Sequence, residues 1–229
     1  MTADPRPDSQ PADLRHVDTW LFDLDNTLYP AESGLMAEIE RRMTAYVMQV
    51  TGLPRDDAYR LQKQYLADYG LTLGGLVEHH GVDPADFHTI FHDMPLEGVA
   101  QDLELVAAIA RLPGRRLIFT NADAFHAERV LKHLGMTELF DGIFDIGSAD
   151  YVPKPAPATF ARISAEHGID PAKTAFFEDS ERNLKPAAVL GMTTVLVGPY
   201  AQASTADFVD YKIDRLAPFL AQAQLKDAA

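Results

Sequence analysis

Asp23 and Asp25 stand two residues apart, directly after the apolar run Thr19-Trp20-Leu21-Phe22. An aspartate carboxylate can act as a covalent phosphoryl acceptor. A second aspartate nearby can protonate a leaving oxygen, given a pKa raised by neighbouring like charge and partial burial. Farther along, Thr120 and Asn121 stand at the end of a stretch that begins at Arg116 and holds Leu117-Ile118-Phe119. Lys154 lies among Pro153, Pro155 and Pro157, and Glu178 and Asp179 follow Thr174–Phe177. Phosphoryl transfer asks mainly for positioning and charge neutralisation, which a lysine, a hydroxyl and a metal provide. Hard oxygen donors in this number suit Mg²⁺, which takes one or two carboxylates plus substrate phosphate.

These residues must be carried by elements that bring them together. Thr19–Phe22 reads as a buried strand closing into a polar turn. Helical periodicity follows through Leu35, Ile39, Met43, Val47 and Val50, punctuated by Gly52 and Pro54. Further helices are expected over Asp56–Tyr69, around Leu73–Val77, over Pro84–His92 and over Asp102–Leu112, with no strand between Ala31 and Gly114. Strand and helix then alternate. Strands are expected at Arg116–Thr120, Phe144–Ile146, Thr174–Phe177 and Thr193–Val197. Helices are expected at Ala124–Leu134, Ala158–His167 and Leu184–Leu190. Such alternation predicts an α/β domain with a parallel sheet covered on both faces, interrupted by a helical insertion after its first strand. In such sheets ligands bind beyond the carboxyl ends of the strands, which is where Asp23, Asp25, Thr120, Asn121, Glu178 and Asp179 fall. Residues 1–16, with Pro5, Pro7 and Pro11, are expected to form a mobile leader.

The 229 residues carry a formal net charge of −14, so a basic face for nucleic acid is not expected. A phosphate site in so acidic a chain must reverse the field locally. The absence of cysteine excludes a disulfide framework, a thiolate nucleophile and cysteine metal sites. No apolar run approaches the ~18 residues of a membrane span, and Met1 to Arg15 do not resemble a signal peptide. A cytoplasmic location is expected.

The motifs together resemble the haloacid dehalogenase superfamily. Asp23-Leu24-Asp25-Asn26-Thr27-Leu28 is similar to its first motif, Phe119-Thr120-Asn121 to its second and Lys154-Pro155 to its third. Phe177-Glu178-Asp179-Ser180 with Asn183 is similar to its fourth. The resemblance implies a Rossmann-like doubly wound core over residues 17–30 and 113–229, and an all-helical cap of the first type over residues 31–112. It implies Asp23 as nucleophile and Asp25 as general acid and base. Thr120, Asn121 and Lys154 would hold the phosphate. The Asp23 carboxylate, the Asp25 main-chain carbonyl and Asp179 would hold Mg²⁺. Glu178, Ser180 and Asn183 would stand behind them; a second acid is common where Asn183 stands.

Phe22 to Pro30, Tyr69-Gly70-Leu71-Thr72-Leu73 and Phe177 to Asn183 resemble the pyrimidine 5′-nucleotidase-like branch. That implies a nucleoside 5′-monophosphate substrate, with Tyr65, Tyr69 and Thr72 as candidate contacts; cap packing explains these three equally well. A phosphatase for phosphoglycolate or a sugar phosphate, a phosphomutase and a non-catalytic phosphate-binding protein stay open. A dehalogenase does not need Asp25 as a proton donor or Asp179 as a metal ligand. His79, His80, His88 and His92 are expected at the surface or an interface, because His88 and His92 lack a third ligand for zinc. The partner is a small phosphorylated metabolite, with the chain a monomer or homodimer.

Overall fold

The computed structural model describes residues 11–226. Strand β1 (Thr19–Phe22) is followed by helices α1 (Leu35–Thr51), α2 (Arg55–Tyr69), α3 (Thr72–His80), α4 (Pro84–Thr89) and α5 (Leu103–Ala110). The alternating part comprises β2 (Arg115–Phe119), α6 (Ala124–Leu134), β3 (Gly142–Phe144), α7 (Pro157–His167), β4 (Thr174–Glu178), α8 (Glu181–Leu190) and β5 (Thr193–Val197). Strand β6 (Tyr211–Ile213) and helix α9 (Leu216–Gln222) end it.

The six strands form one sheet in the order β3-β2-β1-β4-β5-β6, and every neighbouring pair is parallel. Every residue of β1 and β4 is buried, as expected of strands covered on both faces. Successive side chains go to opposite layers. Trp20, Phe22 and Phe177 join one core, with Phe22 and Phe177 stacked at 4.6 Å. Leu21, Phe119 and Phe176 join the other. The strand order reverses between β1 and β4, and the crevice at such a switch point is where open α/β sheets bind ligands.

Helices α1 to α4 pack mainly on one another. A Cβ on Gly75 of α3 would stand 2.2 Å from the Tyr65 ring of α2, so the contact of these two helices requires a glycine. Helix α5 packs on α9 and on the turn Thr137–Leu139.

The expected leader lies outside the described residues over 1–10 and is corrected over 11–16. Leu14 is fully buried, its N–H donates to the Gln224 carbonyl at 2.9 Å, and Asp13 bridges to Gln224. Leu14 and Val17 supply apolar surface that joins the core beside Leu220 and Ala223. The third strand is Gly142–Phe144 rather than Phe144–Ile146, because Asp145 leaves the ladder. Its carboxylate accepts the N–H groups of Ala124 and Ser148 instead. Helix α4 stops at Thr89, short of His92.

Candidate active site

The ladder between β1 and β4 extends one residue past Phe22, with Asp23 N–H on the Phe177 carbonyl at 2.9 Å. This fixes Asp23 at the carboxyl end of the central strand. Asn26 then takes φ 61°, a left-handed conformation that asparagine tolerates better than most residues, and the chain folds back so that Leu28 N–H reaches the Leu24 carbonyl. Asp23 and Asp25 thus leave a tight turn at the switch point.

Lys154 is 1% exposed, so its proline-rich surroundings stiffen a buried loop instead of presenting a surface ligand. All three of its ammonium hydrogens are used. Nζ donates to Asp23 Oδ1 at 2.8 Å, Glu178 Oε2 at 2.7 Å and the Phe119 carbonyl at 2.7 Å. The Asn121 side chain, which also lines the crevice, holds this loop. Its Oδ1 accepts the Lys154 N–H and its Nδ2 donates to the Lys154 carbonyl, at 2.8 and 3.2 Å. Thr120 is 3% exposed and its Oγ1 accepts the Ala122 N–H, which leaves the hydroxyl hydrogen free for an acceptor in the crevice.

Carboxylate oxygens of Asp23, Glu178 and Asp179 lie within 4.8 Å of one another. Burial, then the charge of Glu178, pushes Asp23 up to about 7 against the pull of Lys154. Burial raises Glu178 to about 7 as well, and burial with the charge of Asp23 raises Asp179. Three clustered acids with one lysine leave an excess of negative charge. Beside them Asn183 Oδ1 and Asn26 Oδ1 are buried without a partner among the described residues. This set of hard oxygen donors fits a divalent cation such as Mg²⁺.

Asp25 departs from expectation. Burial pushes it up, but the charge and hydrogen bond of His126 and the Tyr29 hydroxyl outweigh burial and hold it below the usual carboxylate range. His126 Nε2 lies 2.9 Å from Asp25 Oδ1, and Tyr29 donates its hydroxyl to the same oxygen. Neither residue is singled out by the sequence reading. The available signal was positional: Asp123 caps α6 and puts His126 in the first turn after the second motif.

A cavity of about 290 Å³ opens above these groups. Its floor includes Asp23, Asp25, Thr120, Lys154 and Asp179. Its roof is apolar, with Met36, Ile39, Met43, Leu71, Phe87 and Phe91. Thr72 and Ser180 line it, although Thr72 Oγ1 is engaged by the Gln62 carbonyl. Tyr65 and Tyr69 do not line it. Their hydroxyls meet His80 and His79 instead, within the insertion. His88 and His92 stand where insertion meets core: His88 Nδ1 is 3.1 Å from Asp123 Oδ2, and His92 packs on Phe125 with ring centroids 4.0 Å apart.

Comparison with known proteins agrees with this geometry. Phosphate metabolism protein 8 of Saccharomyces cerevisiae is 30% identical over 206 residues, 83% of this chain and 63% of that protein. Fructose-1-phosphate phosphatase YqaB of Escherichia coli is 33% identical over 99 residues, 42% of this chain and 51% of that protein. The chain therefore spans less than two thirds of the length of either of these curated relatives. A crystal structure of a phosphatase from Thermococcus onnurineus superposes with a TM-score of 0.65 over 89% of this chain and 96% of that one, at 19% identity, and shares the fold. A family model described as haloacid dehalogenase-like hydrolase matches residues 17–191. That span contains the whole crevice from Asp23 to Asn183, and the chain belongs to the haloacid dehalogenase-like hydrolase family.

Proposed function

We propose that this chain is a Mg²⁺-dependent phosphomonoester hydrolase acting through an aspartyl phosphate on Asp23. One arrangement carries the reading. Lys154 Nζ sits between Asp23 and Glu178 on the floor of a cavity that Asp25, Thr120 and Asp179 also line. Asp23, the Asp25 main-chain carbonyl and Asp179 would hold Mg²⁺, which supplies positive charge for the phosphoryl oxygens. An Asp23 oxygen attacks phosphorus while the bond to the ester oxygen breaks and Asp25 gives that oxygen its proton. The incoming phosphate dianion raises Asp25 towards the value this step needs. Water then gives a proton to Asp25 as its oxygen attacks phosphorus. The bond to Asp23 breaks, which returns the carboxylate and releases inorganic phosphate. Lys154 neutralises Asp23 throughout, and the Thr120 hydroxyl donates to a phosphoryl oxygen.

Nucleoside 5′-monophosphates, pyrimidines favoured, are the proposed substrates. The apolar roof over the cavity supports this, since a base and the edge of a ribose fill such a surface better than a polyhydroxy chain. Tyr65 and Tyr69 give no support. The second reading is a small sugar phosphate, favoured by the likeness to a fructose-1-phosphate phosphatase. We take the cap as the stretch from Ala31 to about residue 100, and a cytoplasmic metabolite as the substrate. Phosphate release from UMP, CMP, dUMP, AMP, GMP, phosphoglycolate and fructose 1-phosphate, each with Mg²⁺ and with EDTA, tests the proposal. Mg²⁺-dependent preference for UMP or CMP supports it. Preference for the sugar ester keeps the chemistry and removes the nucleotide. No release from any ester ends the hydrolase reading.

A pH effect on metal binding follows from the raised carboxylates. In the metal-free folded protein Asp23 and Glu178 keep protons up to about 7, whereas an unfolded chain loses them near about 4. The folded state then binds more protons than the unfolded one, so this contribution is full at acid pH and is lost as pH rises through about 7. Mg²⁺ binds the ionised form. Its gain in melting temperature is therefore expected to be small at pH 5 and large at pH 8. Equal gains at both pH values, in thermal melts with and without Mg²⁺, would place the metal elsewhere.

A further inference from the structure

We infer that His126, with Tyr29, is a positioning residue for Asp25, fixing one carboxylate oxygen so that the other faces the cavity. The inference rests on the hydrolase reading above and adds how its proton donor is aimed.

Asp25 stands at the start of a tight turn that also carries Tyr29. The terminal torsion of an aspartate is broad, so a carboxylate without partners sweeps a wide arc. Here two donors converge on one oxygen. The His126 ring brings Nε2 to 2.9 Å from Asp25 Oδ1, and the Tyr29 hydroxyl donates to the same atom. An ionised carboxylate only accepts, so Nε2 carries its hydrogen towards Asp25. Among the described residues no protein group donates to Oδ2. The Asp25 side chain still keeps 20% exposure, and the residue lines the cavity. Oδ2 is the oxygen left to meet a leaving group.

The anchor itself is rigid. His126 is 4% exposed and lies in the first turn of α6. Its own N–H donates to Asp123 Oδ1 at 2.6 Å, and that aspartate also meets His88 from the insertion. Tyr29 is 2% exposed. Both rings are therefore held by packing that does not depend on Asp25.

Positioning of the proton donor makes a prediction that packing alone does not. An alkyl phosphate needs its leaving oxygen protonated, whereas p-nitrophenyl phosphate releases a phenolate that needs little help. kcat/KM reports the steps through phosphorylation of Asp23. In His126→Phe, kcat/KM for the alkyl ester that the panel identifies is expected to fall on the order of 10²-fold, the effect of an ångström-scale misplacement. The fall for p-nitrophenyl phosphate is expected to be at least about tenfold smaller. His126→Gln, whose amide N–H can reach the place of Nε2, is expected to recover most of the loss. Tyr29→Phe removes one hydroxyl without removing the ring, and is expected to show the same selectivity more weakly. It keeps the test open if His126→Phe does not fold by circular dichroism.

Equal losses on the two esters, no loss on either, or no recovery with glutamine would overturn the assignment. These outcomes presuppose an active wild type. A wild type inactive on both esters would instead overturn the hydrolase reading.

Discussion

Asp23→Asn is expected to lower turnover by on the order of 10⁵-fold while leaving the fold intact, the scale on which loss of a covalent nucleophile acts. The substitution hardly changes volume at a position that is 7% exposed. It replaces the oxygen that Lys154 holds at 2.8 Å with an amide that can still accept from the ammonium. What it removes is the ability to carry a phosphoryl group. The structure also predicts the stability change. Asp23 is pushed up to about 7 by burial and by Glu178, so above that pH its charge is a burden in the metal-free protein. The asparagine variant is expected to melt at or above the wild-type temperature at pH 8 without Mg²⁺, and to lose most of the gain from Mg²⁺. Wild-type enzyme quenched during turnover should carry the added mass of one phosphoryl group, and the variant should not. Turnover within tenfold of wild type would sink the mechanism.

Lys154→Met should strike both activity and stability. The methionine fills most of the same space but leaves Asp23, Glu178 and the Phe119 carbonyl without their shared donor. Removing one partner of a buried ion pair costs about 3–5 kcal/mol when the other charge stays buried. The two acids can escape that cost by taking protons, since both already sit at about 7. The loss should therefore be small at pH 5 and approach the full figure at pH 8. Urea unfolding at the two pH values measures it. A uniform loss would mean that packing of the lysine stem, not its charge, is what the core needs. Activity should fall on the order of 10³-fold at either pH, because the nucleophile loses its neutralising charge and its orientation together. Activity near wild type would remove Lys154 from the phosphate site.

What could be read ahead of the structure follows the physics of each signal. β1, β2, β4 and β5 each hold three consecutive apolar residues, Trp20–Phe22, Leu117–Phe119, Ala175–Phe177 and Val195–Val197, so burial on both faces announced them. The acids after those runs could be placed on one edge because parallel strands share a direction. β6 and α9 are three and seven residues long, too short for any period to emerge. Side-chain roles were legible only where the chain dictates direction. Asn121 was placed correctly at a strand end, but its position says nothing of the Lys154 backbone that consumes its amide. Tyr65 and Tyr69 sit in a helix whose register does not reveal which side meets the cavity. His126 was hidden because its partner, Asp25, lies on a different strand's turn and no spacing connects them.

The position of β1 has a consequence for how a new molecule comes into being. It is the first strand made, yet both strands that flank it are made only after the entire insertion. Helices α1 to α4 can settle on one another from near neighbours while β1 waits for partners far down the chain. Long-range parallel pairing of this kind closes slowly. Until β4 arrives, Asp23 and Glu178 remain in water and bear no mutual repulsion to speak of. Their crowding begins only when β4 pairs with β1, the step that also brings Glu178 to Lys154. Asp23, Thr120 and Lys154 are made before β4, whereas Glu178 and Asp179 come with it, so the appearance of turnover during synthesis would time the pairing of β4 with β1.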